Sequence, residues 1–526
     1  MTHPNNNLKT RMGSVASGRS GVQLSLLSIA CVLGCELCSA ADDDRIQRVI
    51  EGLRPAIVIE GQPAATFGLR ERMRAYQVPG VSIAVIDNGE IAWAYGYGVR
   101  EAGTADPVTA ETQFQAASVS KSIAAVVVLR LAERGEVDLD EDVNRRLRTW
   151  ELPANRHTAK RKVTPRLILS HRAGLTDRAG FRGSGWDDPL PALSEVLETG
   201  EWTPAPIRVG AVPDTRFQYS GGGYGVLQLL MEDVSGKRFP SLARELVFDP
   251  LEMTSSSFDQ AITPERLNRA AVGHGLDGES LPHRWRRFAV TSAAGLWTTP
   301  SDLARFLIAV QAAKAGVPGS ILARDTVVDM LSVQGAHDER DARAIAMMEA
   351  IPETPPPSRG LGVGLIGSPP VRIFHTGMNP GYQCEIQGYV DCGRGAVVMT
   401  NGARGWRLVR EILWSIAREY EWADYDYVPE TRRAVTLSDD ELERFVGRYR
   451  VSRSQSDEWT LVVVREGGQI SARLRDSGNR VRLHPESANS CFIFPDGMRL
   501  RFVEDDEGVF AKVVSDHGWW GRRVRR

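Results

Sequence analysis

The feature that most constrains this chain is a helix-length stretch that is apolar on every side. Between Ile123 and Leu131 the only charged residue is Arg130. The surrounding run, Ser118 to Arg134, predicts one long helix that is ended by Gly135. Because a helix that is apolar all round has to be buried, this one is expected in the interior of a large domain.

Length and charge set the scale of the fold. With 526 residues, of which 42% are hydrophobic, the chain is too long for one small core and predicts two or three domains. The net charge of -2 gives no indication of a nucleic-acid partner or of a polybasic membrane patch. The basic end, residues 522–526, is interpreted as a solvated tail.

The N-terminal segment has the order of an export signal. Basic residues precede an apolar stretch, Val22–Cys35, and the small residues Ser39–Ala41 come before an acidic run. We therefore predict a signal peptide over residues 1–41 and a periplasmic or secreted protein. Two alternatives stay open, a lipoprotein modified at Cys35 and a disordered or anchoring tail. The apolar stretch is short for a bilayer, so no membrane span is expected in the mature chain.

The cysteines and histidines show no metal or cofactor pattern. Cys384, Cys392 and Cys491 remain once the signal is removed, and they have neither metal-site spacing nor an obvious disulfide framework. The nine histidines are scattered and form no metal-binding pair. We expect neither a metal nor a cofactor.

The patterning of the remaining sequence changes along the chain and predicts its domains. Amphipathic helical pieces, separated by loops rich in proline and glycine, predict a helical subdomain over about 138–290. Short strand-like runs around glycine-containing turns predict a small all-β domain at the C-terminus. The predicted divisions are a main domain at 45–425, a linker at 426–435 and the C-terminal β domain at 436–526.

Local signals predict individual elements of the main domain. Asn88-Gly89, between two alternating apolar runs, predicts a β-hairpin. Thr299 followed by Pro300 predicts the start of a helix. Strands are expected at 371–374, 382–390 and 396–400, and a closing helix at 406–420.

Ser118 and Lys121 stand three residues apart at the start of the long helix, so their side chains share one face. A serine hydroxyl is a weak nucleophile until a base takes its proton. Lysine can act as that base where burial or neighbouring positive charge lowers its pKa, whereas arginine cannot. The pair therefore predicts a nucleophile and its base. The alternative is a capped helix with a surface lysine.

Two further motifs hold residue types that suit acyl transfer. Tyr219 stands at the edge of a glycine-rich loop, Ser220–Gly223, where a phenol can relay a proton near a buried amine. His375, Thr376 and Gly377 follow a predicted strand, where side chains and backbone amides can bind a substrate carbonyl or carboxylate. Taken alone, the first motif also suits a loop that caps a helix, and the second suits a structural histidine.

Together, the three motifs resemble the serine β-lactamase and penicillin-binding protein superfamily, whose pattern is Ser-x-x-Lys, then Tyr-x-Asn, then Lys-Thr-Gly or His-Thr-Gly. The sequence most resembles the branch that contains class C β-lactamases, D-amino-acid-specific peptidases and β-lactamase-like esterases. The resemblance covers about residues 65–420. It includes four stretches besides the motifs, at 114–118, 167–175, 295–303 and 379–382.

This resemblance implies an α/β (α+β) architecture, the β-lactamase/transpeptidase-like fold. An antiparallel sheet, formed by the two ends of the main domain, would be flanked by helices. The helical subdomain would form the other half of the cleft. The C-terminal all-β domain is similar to the barrel-like appendices of some D-aminopeptidase-type relatives, and is interpreted as a cleft-edge or interaction module.

The resemblance also implies roles for individual residues. Ser118 would be the acylated nucleophile, Lys121 its general base or proton relay, and Tyr219 a group that helps to activate Ser118 and later a water. The backbone amides of Ser118 and Met378 would form the oxyanion hole. The third motif would bind the substrate through His375, Thr376 and Gly377.

Two departures from the family pattern narrow the predicted activity. Gly221 stands where the superfamily has asparagine, and His375 replaces the lysine of many β-lactamases, so strong β-lactamase activity is not expected. The predicted function is an exported serine hydrolase that cleaves a small-molecule ester, amide or peptide through an acyl-enzyme. Carboxylesterase, D-aminopeptidase and DD-carboxypeptidase types all remain open, with weak β-lactamase activity. The alternative is a penicillin-binding-like sensor or interaction protein without turnover.

Overall fold

The computed structural model describes the chain from residue 43 to residue 524 with short gaps. The gaps are residues 64, 178–182, 187, 200, 202–204, 337, 349–355, 368–370, 426, 428, 453–457, 474–479, 495–496 and 516–519. The predicted signal peptide, 1–41, lies outside the described residues. The chain divides into two compact units at Val49, and the fold that follows is that of the second unit, Ile50–Arg526.

The main domain contains twelve α-helices among the residues that the structure describes within this unit. They are α1 (Leu69–Tyr76), α2 (Ser120–Glu133), α3 (Pro165–Leu169), α4 (Leu193–Thr199), α5 (Gly221–Ser235), α6 (Phe239–Ala243), α7 (Pro264–Arg269), α8 (Thr291–Ala294), α9 (Pro300–Ala315), α10 (Arg324–Met330), α11 (Glu339–Met348) and α12 (Gly405–Glu419). Short 3-10 turns lie at Ala117–Val119 and Val143–Arg145, and a π-helical turn, Arg244–Phe248, follows α6.

A seven-stranded antiparallel sheet forms the framework of this domain, in the order β3-β2-β10-β9-β8-β7-β6. Its strands come from both ends of the domain, as the resemblance implied. They are β2 (Gly80–Asp87), β3 (Glu90–Gly98), β6 (Pro357–Arg359), β7 (Gly364–Ile366), β8 (Arg372–Asn379), β9 (Tyr382–Tyr389) and β10 (Gly395–Thr400). Two small pairs complete the domain, β1 (Ile57–Ile59) with β11 (Glu430–Arg432) and β4 (Phe114–Gln115) with β5 (Trp297–Thr298).

The β-hairpin and the helix start that the sequence predicted are both confirmed. Asn88 and Gly89 have φ values of 53° and 77°, the left-handed pair that a two-residue hairpin between β2 and β3 requires. The Thr299 hydroxyl accepts a hydrogen bond from the N–H of Asp302 at 3.3 Å, and Pro300 occupies the first turn of α9.

The predicted central helix is buried as expected. All residues of α2 from Ser120 to Leu131 are buried except Arg130. The apolar side chains of α2 belong to one continuous hydrophobic core, which includes residues of the sheet and of the helical half of the domain. Helix α9 packs on β2, β3 and β10 on this face of the sheet, whereas α1 and α12 pack together on the other face. We call the face with α1 and α12 the rear face.

The C-terminal segment folds into a closed antiparallel barrel of eight strands. A short helix, α13 (Asp439–Phe445), precedes it and places Phe445 against Phe502 and Phe510 in the barrel core, with ring centres 4.9 and 5.0 Å away. The strands are β12 (Gly447–Ser452), β13 (Glu458–Glu466), β14 (Gln469–Arg473), β15 (Arg480–Ser487), β16 (Ser490–Ile493), β17 (Arg499–Glu504), β18 (Phe510–Ser515) and β19 (Trp520–Arg523).

The barrel contacts the main domain at its rear face. Phe494 lies 6.2 Å from Phe67, between ring centres, and Gly497 packs beside Ile57 and the Arg407 side chain of α12. The segment expected to be a plain linker contributes β11, which pairs in parallel with β1. The role of this domain as a cleft-edge or interaction module stays a prediction.

No helix in the described ranges is long and apolar enough to cross a bilayer. The three cysteines that follow the predicted signal are free thiols, with Cys384 and Cys491 buried and Cys392 exposed.

Candidate functional site

Ser118 lies in a strained turn immediately before the central helix. The sequence predicted that the helix would begin at Ser118, but residues Ala117–Val119 form a 3-10 turn and α2 starts at Ser120. Ala117 has a φ of 48°, a left-handed conformation that is costly for a residue with a side chain. The Ser120 hydroxyl holds this turn, because it donates to the carbonyl of Ala117 and accepts from the N–H of Leu296. The result is a half-buried Ser118 presented at the end of a rigid helix.

Lys121 contacts Ser118 directly. Its Nζ lies 3.1 Å from the Ser118 Oγ and donates a second hydrogen bond, of 2.7 Å, to the carbonyl of Ala293. The residue is 2% exposed, which rules out the alternative of a surface lysine. Two bonds in different directions fix the amine in front of the serine, where a neutral lysine can accept the hydroxyl proton.

Tyr219 approaches the same amine from the helical half of the domain. The Lys121 Nζ lies 5.1 Å from the centre of the Tyr219 ring. The ring of His171 stacks on the Tyr219 ring with a centre-to-centre distance of 4.2 Å. The half-buried phenol therefore contacts both a histidine and the lysine that contacts Ser118.

Gly221 begins helix α5 and has no side chain to reach the lysine. The cap of this helix is Ser220, whose hydroxyl accepts a hydrogen bond from the N–H of Gly223 at 2.8 Å. Asp177, which is fully buried, accepts from the Ser220 hydroxyl and from the N–H of Gly222. Position 221 therefore offers no asparagine amide to Lys121. The carboxylate of Asp177, which comes from another segment, binds the first turn of α5 instead.

The His-Thr-Gly motif lies within strand β8 and not at its end. The strand was expected to stop at Phe374, but it continues to Asn379. Among the described strands, its neighbour β7 pairs with residues 372–374 only, so the outer edge of residues 375–379 has no described strand beside it; we call this section the open edge of β8. The turn that carries Ser118 packs against this section of β8, and a Cβ placed on Gly377 would lie 2.2 Å from the carbonyl oxygen of Ala116.

The pairing of β8 with β9 determines the direction of the Met378 amide. Asn379 and Tyr382 flank a two-residue loop and pair with each other, which makes them a hydrogen-bonded pair. Such pairs alternate with outward-facing ones along an antiparallel ladder. The N–H of Met378 therefore points to the open edge, while its side chain is 68% exposed.

His375 and Thr376 differ in their access to the cleft. His375 has no exposed surface, and its Nδ1 lies 2.7 Å from the carbonyl oxygen of Thr376. Thr376 is half-buried, so it is the member of the pair with surface available to a substrate.

Three buried residues near the site were missed in the sequence. His171 lies in a stretch that carried the family resemblance, although no local pattern gave it a role. Asp177 and Arg359 had no signal, because their contacts involve distant segments. The Arg359 guanidinium lies 5.8 Å from the Tyr219 ring centre. Burial, followed by the positive charge of Arg359, holds the pKa of His171 well below its ordinary value of 6.5.

A family model described as beta-lactamase matches residues 69–418, which include the serine, the lysine, the tyrosine and the open edge of β8. The chain belongs to the beta-lactamase family. It is similar to penicillin-binding protein 4* of Bacillus subtilis, with 22% identity over 84% of this chain and 94% of that protein. As a member of this family it is a serine hydrolase.

Two solved structures support the same fold. The octameric penicillin-binding protein homologue from Pyrococcus abyssi matches with a TM-score of 0.54 and 21% identity, over 86% of this chain and 98% of that one. The D-amino acid amidase from Ochrobactrum anthropi SV3 matches with a TM-score of 0.53 and 21% identity, over 73% of this chain and all of that one. The β-lactamase/transpeptidase-like fold and the C-terminal β-barrel are thus confirmed.

Proposed function

We propose that this protein is an exported serine hydrolase that cleaves an ester or amide bond through an acyl-enzyme on Ser118. The observation that carries the proposal is the contact of 3.1 Å between the Lys121 Nζ and the Ser118 Oγ, with the amine also anchored on Ala293. A base within hydrogen-bond distance of a half-buried hydroxyl is the arrangement that nucleophilic catalysis needs.

The first half of the proposed reaction forms the ester bond to the enzyme. The Ser118 Oγ attacks the substrate carbonyl carbon while its proton passes to a neutral Lys121. The backbone amides of Ser118 and Met378 stabilise the resulting oxyanion, and one such donor contributes about 3 kcal/mol to the transition state. When the tetrahedral species collapses, the bond to the leaving group breaks. The leaving group takes the proton back through Lys121 or Tyr219.

The second half of the reaction releases the acyl group. A water molecule gives its proton to Tyr219 or Lys121 and attacks the acyl carbon. The bond to the Ser118 Oγ then breaks, and the serine recovers its proton. Tyr219 fits this role because its ring packs against the amine of Lys121.

The substrate class is narrowed by the two departures from the family pattern and by the relatives. Gly221 presents no amide to a substrate, and the His375 ring is buried, which together favour a simple ester or amide over a β-lactam. Similarity to a D-amino acid amidase supports a D-amino-acid amide or a short peptide.

A fluorophosphonate probe and a substrate panel test this proposal. The mature protein is treated with the probe, and the labelled peptide is identified by mass spectrometry. We expect one label on Ser118, none in Ser118→Ala, and turnover of p-nitrophenyl esters or D-amino-acid amides above that of nitrocefin. Equal labelling of Ser118→Ala would refute the nucleophile. Stable labelling by a fluorescent penicillin without turnover of any ester or amide would favour the sensor.

Export is tested by the N-terminus of the protein recovered from the periplasm or medium of a bacterial host. We expect it to begin near Ala41, as the predicted signal peptide requires. A lipid on Cys35 would support the lipoprotein alternative, and a protein that stays in the cytoplasm with residues 1–41 attached would refute export.

A further inference from the structure

Tyr219 is held on both sides by one residue. The N–H of Gln218, which precedes it, donates to the carbonyl oxygen of His171 at 2.7 Å. The N–H of Ser220, which follows it, donates to the Nδ1 of the same histidine at 3.2 Å. The His171 ring also stacks on the Tyr219 ring. The side chain and the backbone carbonyl of His171 therefore determine where the backbone and the ring of Tyr219 lie.

His171 is itself rigidly placed. It has a φ of 59° and is 2% exposed, and its N–H donates to the carbonyl of Ile168 at 3.0 Å. The next residue, Arg172, is buried and forms ion pairs of 2.7 Å with Asp214 and 2.9 Å with Asp341. Because an Nδ1 that accepts a hydrogen bond carries no proton, a neutral His171 is the form that suits this contact.

Asp177 provides a second attachment for the same segment. One carboxylate oxygen accepts from the Ser220 hydroxyl and the other from the N–H of Gly222, each at 2.5 Å. Residue 222 is a glycine in a confined place, where a Cβ would lie 2.2 Å from the Ile207 side chain and 3.1 Å from the Asp177 carboxyl carbon. Segment 218–222 is thus bound at three backbone amides and one hydroxyl.

We propose that His171 and Asp177 are positioning residues that hold the Tyr219 hydroxyl at Ser118 and Lys121. Gly221 cannot connect this segment to Lys121 through an asparagine side chain, and the two buried residues perform the attachment from the opposite side. The inference rests on the proposed acyl-enzyme chemistry, in which Tyr219 transfers a proton.

A double-mutant cycle tests the inference in the full chain. The rate of acylation by the fluorophosphonate probe is measured for His171→Phe, Tyr219→Phe and the double variant. His171→Phe keeps a stacking ring but removes the acceptor for the Ser220 N–H. We expect it to lower the rate by roughly 10- to 100-fold, at or below the lower end of the range for removing a proton-transfer group. In the Tyr219→Phe background, the same change should lower the rate by less than about threefold.

A second variant separates positioning from folding. His171→Asn places an amide oxygen near the position of Nδ1 and tolerates a positive φ, so it should restore the rate to within about fivefold of the wild-type protein. Melting temperatures are measured for every variant. The positioning role is refuted if His171→Phe acylates at the wild-type rate, if the losses in the cycle are additive, or if His171→Asn is no faster than His171→Phe. An unlabelled wild-type protein would instead overturn the proposed function, and the positioning role with it.

Discussion

Gly377 of β8 and Ala116 are packed so closely that a single methyl group cannot be placed between them. A Cβ on Gly377 would lie 2.2 Å from the carbonyl oxygen of Ala116, two residues before Ser118. The oxygen belongs to the backbone and cannot turn aside, unlike the end of a flexible side chain. The glycine of the His-Thr-Gly motif thus allows the strand that carries the Met378 amide to lie against the turn that carries Ser118.

Replacement of Gly377 by alanine should therefore separate the Ser118 and Met378 amides of the proposed oxyanion hole. We expect the rate of probe acylation to fall by roughly 100-fold or more, the effect of losing one oxyanion donor. The unfolding free energy should fall by about 1–3 kcal/mol from overpacking. Gly388→Ala on β9 is the matched control, because its Cβ would meet the flexible Leu307 side chain at 3.1 Å. Equal rates for the two variants would contradict this account.

Lys121→Arg should abolish acylation although the positive charge is kept. A guanidinium cannot release its proton in a protein, so it cannot accept one from Ser118. We expect a loss of at least about 100-fold in the acylation rate. The same substitution at Lys314, which forms an exposed ion pair with Asp391, should leave the rate unchanged. Wild-type activity in Lys121→Arg would show that the lysine is not the base.

The buried Asp177 should make stability depend on pH. Burial, the largest cause, raises the pKa of Asp177 from 3.8 to about 6. Because the folded state prefers the protonated acid, the stability present below pH 4 is lost as pH rises through 6. A shift of about two pKa units corresponds to roughly 3 kcal/mol.

Asp177→Asn removes this titration, so the two proteins are compared by urea unfolding at pH 4.5 and pH 7.5. At each pH we subtract the unfolding free energy of the variant from that of the wild-type protein. This difference should fall by most of the roughly 3 kcal/mol between pH 4.5 and pH 7.5. A difference that stays constant, or that rises with pH, would contradict the raised pKa of Asp177.

On the rear face, the pair Arg72 and Glu411 should contribute to stability and not to catalysis. Both side chains are buried, and the Arg72 Nε donates to Glu411 at 2.6 Å while the Tyr76 hydroxyl donates to the same carboxylate. Glu411→Gln leaves a buried guanidinium without its counter-charge, so we expect a loss of about 3–5 kcal/mol in unfolding free energy. Acylation per folded molecule should not change.

Arg72→Met combined with Glu411→Leu should recover much of that loss, since apolar replacements of a buried pair are often tolerated. A double variant less stable than Glu411→Gln would refute this expectation. A reduced acylation rate in folded Glu411→Gln would show that the rear face is coupled to the site.

Elements specified by nearby residues were predictable from the sequence. The hairpin at Asn88-Gly89 depends on two positive φ values, and the start of α9 depends on a threonine that accepts a hydrogen bond three residues away. The burial of α2 followed from its composition, and the three motifs with their order identified the family. In each case either the interacting groups are close in the chain, or the order and composition of the residues are enough to make the prediction.

Contacts between distant segments could not be predicted in this way. The open edge at residues 375–379 exists because β7 ends its pairing at Phe374, and the strand in the expected linker exists because β1 is available to pair with β11. The strained turn at Ala117 depends on Ser120 and on an amide from position 296.

The sequence by itself determined that Lys121 lies in a buried helix, three residues after Ser118, in a beta-lactamase-family hydrolase. Only the tertiary structure decided that the amine is anchored on Ala293, that Tyr219 is held by His171, and that Asp177 binds the turn beyond it. The physical reason is that the burial of an apolar helix and the conformation of a turn depend on residues that are consecutive in the chain. A hydrogen bond in the core depends on which distant segments the packed fold brings together.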